Sequence, residues 1–433
     1  MSDLVFDLIQ KETLRQHETI PLIPSENIVS VAVMSAVGSP LMNKYSEGYA
    51  HKRYYEGNEV IDEVEDLAID RAKKVFGVPH VNVQPYSGSP ANAAIQMATL
   101  KPGDTILGMK LASGGHLTHG HPQVTFSGTF YNTVQYGLDS DARIDLKEVR
   151  TLAQKHHPKL MIIGTTAYPF NLPFKEFAEI AEEVGAYVLA DISHIAGLVA
   201  SGALESPVPH VHIVMTTTHK TLRGPRGAMI LVTEKGLQKD PELGAKIDKA
   251  VFPGMQGGPH NNTTAGIAVA LGEVMTPSFK QYGKQVLVNA QALAGALKAQ
   301  GIALVGDGTE NHLMIMDFSS FGGGTQVAYA MAQAGLIANK NTIPNEPHSP
   351  FYPSGVRLGT PAVTTLGMKE QEMKKIAGWI AQVAHHVSTY VLPAEREARA
   401  PFIKSYKKSI DTDQMIKGLR EEVREFAKNY SFV

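Results

Sequence analysis

One lysine in this chain stands where an ammonium group is uncommon. The apolar run 211–215 leads into Thr216, Thr217, Thr218, His219 and Lys220, and then into the loop Thr221-Leu222-Arg223-Gly224-Pro225-Arg226-Gly227. An apolar run of this length reads as a buried strand, and desolvating an ammonium is costly. One reason to put a lysine at its polar end is covalent chemistry, in which the amine condenses with an aldehyde to a Schiff base. A surface lysine in the loop after an edge strand is the alternative that this stretch leaves open.

Other stretches carry chemistry of different kinds. Residues 43–57 hold Tyr45, Tyr49, Tyr54, Tyr55, Arg53, Glu47 and Glu56 among glycines. Such a loop reads as a site, as a subunit or domain interface, or as both, because tyrosine and arginine are enriched at interfaces. Ser87, Gly88 and Ser89 follow a predicted strand (80–83) and precede a predicted helix (91–100) that Pro90 introduces. Free N–H groups, the helix dipole and two hydroxyls there make an anion cup suited to a phosphate. Simple N-capping by Ser89 is the alternative. His116, His119 and His121 lie in a glycine-punctuated loop with no acidic ligand adjacent. That favours an aromatic wall for a planar ligand over a metal site. Arg357 falls in a short apolar strand, where a guanidinium needs an anionic partner: a substrate carboxylate or a structural aspartate.

The elements that must position these residues follow a repeat. From residue 145 a helix (146–155) leads to a strand (160–163) ending in Thr165-Thr166. A second helix (174–184) leads to a strand (186–190) ending in Asp191-Ile192-Ser193-His194, and the strand 211–215 follows. The recurrence fits βα units of a largely parallel sheet. Ligands bind beyond the carboxyl ends of such strands, so Thr166, Asp191, His194 and Lys220 are expected to converge. A helix is expected over 1–19, with Leu4, Leu8 and Ile9 on one side. A domain boundary is expected near 277–279, giving an N-terminal arm (1–30), a large cofactor-binding domain (31–277) and a smaller C-terminal α/β domain with a helical tail (278–433).

Composition narrows the function. The 433 residues are 43% hydrophobic and 19% charged, with net charge -2, so there is no electrostatic case for nucleic acid or an anionic membrane. With no cysteine, disulfides, thiolate metal sites and cysteine nucleophiles are excluded. No apolar run reaches the ~18 residues of a membrane span, and acidic residues interrupt the N-terminal apolar ones, unlike a signal peptide. A soluble, cytoplasmic protein is expected.

A phosphate cup, an aspartate, histidines and a Schiff-base lysine together meet the needs of pyridoxal phosphate. Asp191 would keep the pyridine nitrogen protonated, His116 would stack on the ring, and His194 and Thr166 would contact its edge. Arg357 would clamp an amino-acid carboxylate.

With these residues in view, the chain resembles the serine hydroxymethyltransferase family from about Ile20 to the helix after Thr365. The resemblance is carried by residues 216–227, 43–49, 114–120 and 251–259. It implies the aminotransferase-like fold type I, with a mainly parallel seven-stranded sheet and a smaller C-terminal α/β domain. It implies interconversion of serine and glycine with tetrahydrofolate as one-carbon carrier, in a homodimer with shared active sites or a tetramer.

Carried over by motif, Lys220 forms the internal aldimine, and Glu47, Tyr55 and His219 join it as catalytic positions. Tyr45, Ser87, Gly88, Ser89, His116, Thr166, Asp191, His194, Thr217, Gly257 and Gly258 are the cofactor-binding positions, with Tyr45 and the Gly257-Gly258 loop reaching in from the other subunit. Ser25, Glu47, Tyr55, His194 and Arg357 are substrate positions. Leu111, Gly115, His116, Leu117, Asn341, Ser349, Pro350 and Phe351 are folate positions, and no metal is implied. The chain departs from the family pattern at Thr166 (usually serine), Ser193 (usually alanine) and Pro24 (usually alanine). Tyr86 and Pro90 are a variant of the cup motif. A folate-independent aldolase of β-hydroxy amino acids and an α-methylserine hydroxymethyltransferase are the alternatives.

Overall fold

The computed structural model describes residues 3–430. Residues 1–2 of the expected N-terminal helix and 431–433 of the expected tail lie outside the described residues. The described residues form two compact units, one of residues 29–166 and 171–284, the other of residues 3–28, 167–170 and 285–430.

The first unit is built on seven strands: β1 (His80–Asn82), β2 (Thr105–Met109), β3 (Asn132–Tyr136), β4 (Leu160–Gly164), β5 (Tyr187–Asp191), β6 (Ile213–Thr217) and β7 (Ala228–Val232). Their order in the sheet is β1-β7-β6-β5-β4-β2-β3. Strands β2 to β6 pair in parallel, and β7 runs antiparallel to both β6 and β1. Every residue of β4, β6 and β7 is buried, the continuous apolar pattern of strands covered on both faces. Ile106, Ile162, Leu189, Ile213 and Ile230 are fully buried in one core cluster, each side chain contributing roughly 1.5–3 kcal/mol by its removal from water.

Two boundaries differ from the sequence expectation in ways that matter for the site. Strand β6 extends past Met215, because Thr216 and Thr217 continue the ladder opposite Met229 and Ala228. β-branched threonines suit a strand, and the Thr216 hydroxyl is satisfied locally by the Thr217 carbonyl at 2.7 Å. Lys220 therefore stands three residues beyond the strand end, inside the hairpin that reverses β6 into β7. Such a reversal needs no crossover helix. The cup helix also starts earlier than expected, at Gly88 (Gly88–Thr99), so Ser87 and not Ser89 takes the N-cap position.

The second unit holds an antiparallel sheet of β8 (Ala303–Leu304), β9 (Leu313–Asp317), β10 (Asn339–Asn341) and β11 (Gly355–Gly359), in the order β8-β9-β11-β10. Met314, Met316, Val356, Leu358 and Trp379 belong to its core. The short strand Ile20–Pro21 pairs in parallel with Leu336–Ile337. The N-terminal helix spans Leu4–His17 and is capped by Asp3. It buries none of its residues, and Leu4, Leu8 and Ile9 are exposed. The long helix expected from 280 begins at Pro277 and runs to Ala299. The charged C-terminal segment includes the amphipathic helix Gln414–Ala427, which buries Ile416, Leu419, Val423 and Ala427 at helical spacing.

Candidate active site

Asp191 closes β5 and is a buried charge held from three sides. Its Oδ2 meets His119 Nε2 at 2.8 Å and accepts from Asn92 Nδ2 at 3.0 Å, while Oδ1 accepts the Ser193 N–H at 3.0 Å. Burial alone would push this carboxyl up. The hydrogen bonds and the charge of His119, with those of Ser193 and Asn92, outweigh burial and hold it well below the usual carboxylate range. Asn92 is a side chain that the sequence reading did not single out, and His119, which the sequence reads as part of an aromatic wall, also bonds this carboxylate.

The histidine loop reaches Asp191 because β2 lets it fold back. A Cβ on Gly108 would lie 1.8 Å from the His119 carbonyl oxygen, so this close approach requires glycine. The loop is fastened from several elements. Asn92 Nδ2 donates to Thr118 Oγ1 at 2.8 Å, Gln96 Nε2 donates to the Thr118 carbonyl at 2.8 Å, and Thr166 donates through its N–H (2.7 Å) to the Gly114 carbonyl and through its hydroxyl (3.0 Å) to the Gly115 carbonyl. The threonine at 166 thus keeps a working hydroxyl. His116 Nδ1 lies 2.8 Å from Thr118 Oγ1. Burial, with His119 adding, pushes His116 down to about 4, so its ring is neutral at neutral pH. Leu111 and Leu117 on the same loop are exposed, and Gly115 packs against the Met109 carbonyl. The described residues contain no cluster of three or more histidine and acidic side chains suited to a metal ion.

Lys220 joins this cluster through Thr217. Its Nζ donates to Thr217 Oγ1 at 3.1 Å. The Thr217 N–H donates to Ser193 Oγ at 3.1 Å, so the hydroxyl that replaces the usual alanine methyl ties the ends of β5 and β6 together. Gly88, the first residue of the cup helix, packs on Thr217: a Cβ there would sit 2.8 Å from the threonine methyl. Ser87 holds the N-cap without its hydroxyl bonding the first-turn N–H groups. The hairpin bearing Lys220 is locked on both sides. The Thr218 N–H donates to the Gly227 carbonyl (3.0 Å), its hydroxyl to the Pro225 carbonyl (2.6 Å), and the Thr221 hydroxyl to the carbonyl of buried His194 (3.1 Å). Burial, with Lys220 and Arg226 adding, pushes His219 down to about 3.

A second cluster forms around residues 45–55. Tyr45 donates to Glu47 Oε1 at 3.1 Å, and the Tyr45 and Tyr55 rings meet edge to face at 5.1 Å. That bond to the carboxylate raises the Tyr45 phenol. Gly257 lies against Glu47 and Gly258 against the Tyr45 ring, where a Cβ would come within 2.9 Å. The loop is set by Arg53, whose side chain is 3% exposed. It pairs with Asp62 and Glu65 at 2.8 Å each and donates to the carbonyls of Ser46 (3.1 Å) and Gly48 (2.8 Å). Tyr86 connects this cluster to the cup. Its hydroxyl donates to the Gly258 carbonyl at 2.7 Å, and its N–H donates to Gln256 Oε1 at 2.9 Å, one residue before Ser87.

The second unit carries Ser25, Asn341, Ser349, Pro350, Phe351 and Arg357. Arg357 lies on β11 and donates from Nε to Asn339 Oδ1 at 3.1 Å, and burial pushes it down to about 10. Ser25 follows Pro24, which is buried against Gly359. Phe351 is exposed at the tip of the β10–β11 loop.

A mainly parallel seven-stranded sheet, with an aspartate ending one strand and a lysine in the hairpin after the next, defines an α/β enzyme of the aminotransferase-like fold type I. The sequence model of the serine hydroxymethyltransferase family matches residues 1–380, and the chain belongs to that family. It is 52% identical over 428 residues to the serine hydroxymethyltransferase of Acidothermus cellulolyticus, covering 98% of this chain and 94% of that one. It is 54% identical to that of Sorangium cellulosum over 89% of each chain, and 53% identical to that of Desulfotalea psychrophila over 90% of each. The chain is a transferase of one-carbon groups.

Proposed function

We propose that the protein interconverts serine and glycine, with pyridoxal phosphate as cofactor and tetrahydrofolate as one-carbon carrier. The observation that carries this reading is the buried Asp191 carboxylate, kept anionic by three donors, with Lys220 in the hairpin after the adjacent strand. The residues fit the cofactor. A permanent carboxylate suits a protonated pyridine nitrogen, and a helix start with glycine at its first position, where a Cβ would strike Thr217, suits a phosphate. When bound, pyridoxal phosphate supplies an electron sink for a bond broken at the amino-acid α carbon.

The chain's own residues do the rest. Lys220 would hold the cofactor's aldehyde carbon, and Ser87, Gly88 and Ser89 its phosphate. His116, neutral at working pH, would cover the ring without adding charge, with Thr166, Thr217 and His194 at its edge. Arg357 would hold the substrate carboxylate bidentately, helped by Ser25. Glu47, paired with Tyr45 and beside Tyr55, would take or return the proton of the serine hydroxyl, and His219 would pack behind the lysine. Leu111, Gly115, Leu117, Asn341 and Ser349-Pro350-Phe351 would receive the folate.

Tyr45, Glu47, Tyr55, Gly257 and Gly258 would serve the site of a second copy in a homodimer. The exposed apolar side chains Val31, Met34, Met42, Tyr54, Val60 and Leu67, in the same stretch of sequence as Tyr45 and Tyr55, support that reading. The protein would act in the cytoplasm. The test is glycine formation from serine by purified protein with pyridoxal phosphate, with and without tetrahydrofolate. Turnover that ignores folate would sink the reading in favour of an aldolase. A visible absorbance band that survives Lys220→Ala would remove the lysine from its role.

A further inference from the structure

The loop between β10 and β11 is an excursion of residues 342–354 from a closed hairpin, whose strands are in register at Asn341 and Gly355. It contains no helix or strand and has proline at 344, 347, 350 and 353. A loop of this length has few ways to hold one shape, since each proline removes a donor. Glu346 is where four of its remaining donors converge. Oε2 accepts the N–H groups of Ile343 (3.2 Å) and Ser354 (2.9 Å). Oε1 accepts the His348 N–H (3.1 Å) and the Ser354 hydroxyl (2.7 Å). Four donors meet the roughly four lone-pair sites of a carboxylate.

The bonds join the start of the loop to its end. Ser354 is fully buried and its carbonyl accepts the Phe318 N–H at 3.0 Å, so the anchor continues into the core. Asn345 adopts a left-handed backbone (φ 57), which turns the chain so that Glu346 faces inward. At the tip, Lys340 donates to the Phe351 carbonyl at 2.6 Å, and the Tyr352 N–H closes a turn on Ser349 at 2.9 Å. The result is a hydrogen-bonded collar with an exposed aromatic at its outer end, bounded by Asn341 on one side and Ser349-Pro350-Phe351 on the other.

We propose that Glu346 is a positioning residue for the one-carbon carrier: its carboxylate closes residues 342–354 into the shape that offers Asn341 and the 349–351 tip to tetrahydrofolate. This rests on the folate reading above. Preorganisation of this kind strengthens binding by removing the ordering cost from the ligand's arrival. It acts on folate affinity and leaves the chemistry at the amino acid alone.

The experiment uses the holoenzyme with Glu346→Gln, Glu346→Ala and Glu346→Asp. Glutamine keeps the volume but sets an NH2 group against two donors, whereas aspartate keeps both oxygens on a shorter stem. In the glutamine and alanine variants KM for tetrahydrofolate rises at least about tenfold, equivalent to about 1.4 kcal/mol. Their kcat at saturating folate and their serine affinity, read from the cofactor spectrum without folate, stay within about threefold of the parent. Amide exchange at Ile343, His348 and Ser354 quickens by about tenfold or more, and the aspartate variant falls between parent and glutamine. Unchanged exchange overturns the pin itself. Faster exchange with an unchanged folate KM overturns its link to folate. A parent enzyme that turns over serine without folate overturns the functional reading instead, and the exchange data still stand.

Discussion

His119 offers the sharpest test of how the site keeps its charge. It lies 2.8 Å from Asp191, with both side chains almost fully buried. Replacing it with phenylalanine keeps a ring of similar size and deletes one of three donors to the carboxylate. A hydrogen bond to a charged group contributes about 1.5–3 kcal/mol, so pyridoxal phosphate should bind about 10- to 150-fold more weakly. Asn92 and the Ser193 N–H remain, so Asp191 stays ionised at neutral pH, but its pKa rises. The acid limb of the kcat/KM profile then moves toward neutrality. Asp191→Asn deletes the charge outright and must do more damage than His119→Phe at every pH. Absorbance titration of the cofactor and a pH profile for serine decide the matter. If His119→Phe binds the cofactor as the parent does, or fails as completely as Asp191→Asn, the idea that it works through the carboxylate is wrong.

Two further outcomes follow from the packing and the titrating groups. Gly88→Ala should lower the unfolding free energy by about 1–3 kcal/mol, the usual cost of overpacking, and weaken cofactor binding, because the new methyl displaces Thr217, which accepts a hydrogen bond from Lys220. A urea melt and a cofactor titration that match the parent would contradict this. His116 and His212 are pushed down to about 4 and His219 to about 3, in each case chiefly by burial, from an ordinary value of 6.5. They are neutral when folded and bind protons when unfolded, so their stabilisation is complete above about pH 7 and is lost as pH falls from there toward 4. Together they allow a slope of up to about 4 kcal/mol per pH unit, and urea midpoints that stay flat from pH 7.5 to 5 would rule it out.

The parallel run of β4, β5 and β6 was legible because each strand is a continuous apolar stretch with polar residues at or just past its end, and that periodicity brings the ends of β5 and β6, where Asp191 pairs with Met215, to one edge of the sheet. Strand β7 was not anticipated. Ala228–Val232 is as apolar as its neighbours, but nothing local announces that the chain reverses to reach it. Tyr45 and Glu47 could be associated because they are two residues apart. His119 and Asp191 are separated by 72 residues, and their pairing depends on a loop folding over Gly108, which is a fact of tertiary packing. The Arg53 clamp is intermediate: its partners Asp62 and Glu65 lie one turn apart on the next helix, a spacing that could have been noticed. In the sequence Ser193 shows only as a departure from the family pattern, and the bond that its hydroxyl accepts from the Thr217 N–H is a fact of tertiary packing.

The parallel pairing of Ile20–Pro21 with Leu336–Ile337 also bears on how the protein is made. During synthesis the first strand leaves the ribosome long before its partner exists, and it must wait unpaired while the whole first unit is translated. Ile20 and Leu22 end fully buried, so in the nascent chain they are sticky segments with nothing to cover them. Contacts of such sequence separation are slow to form and expose the chain to aggregation meanwhile. A heavy tag or an early pause in translation should therefore harm the yield of this protein more when it falls at the N-terminal end than at the C-terminal end.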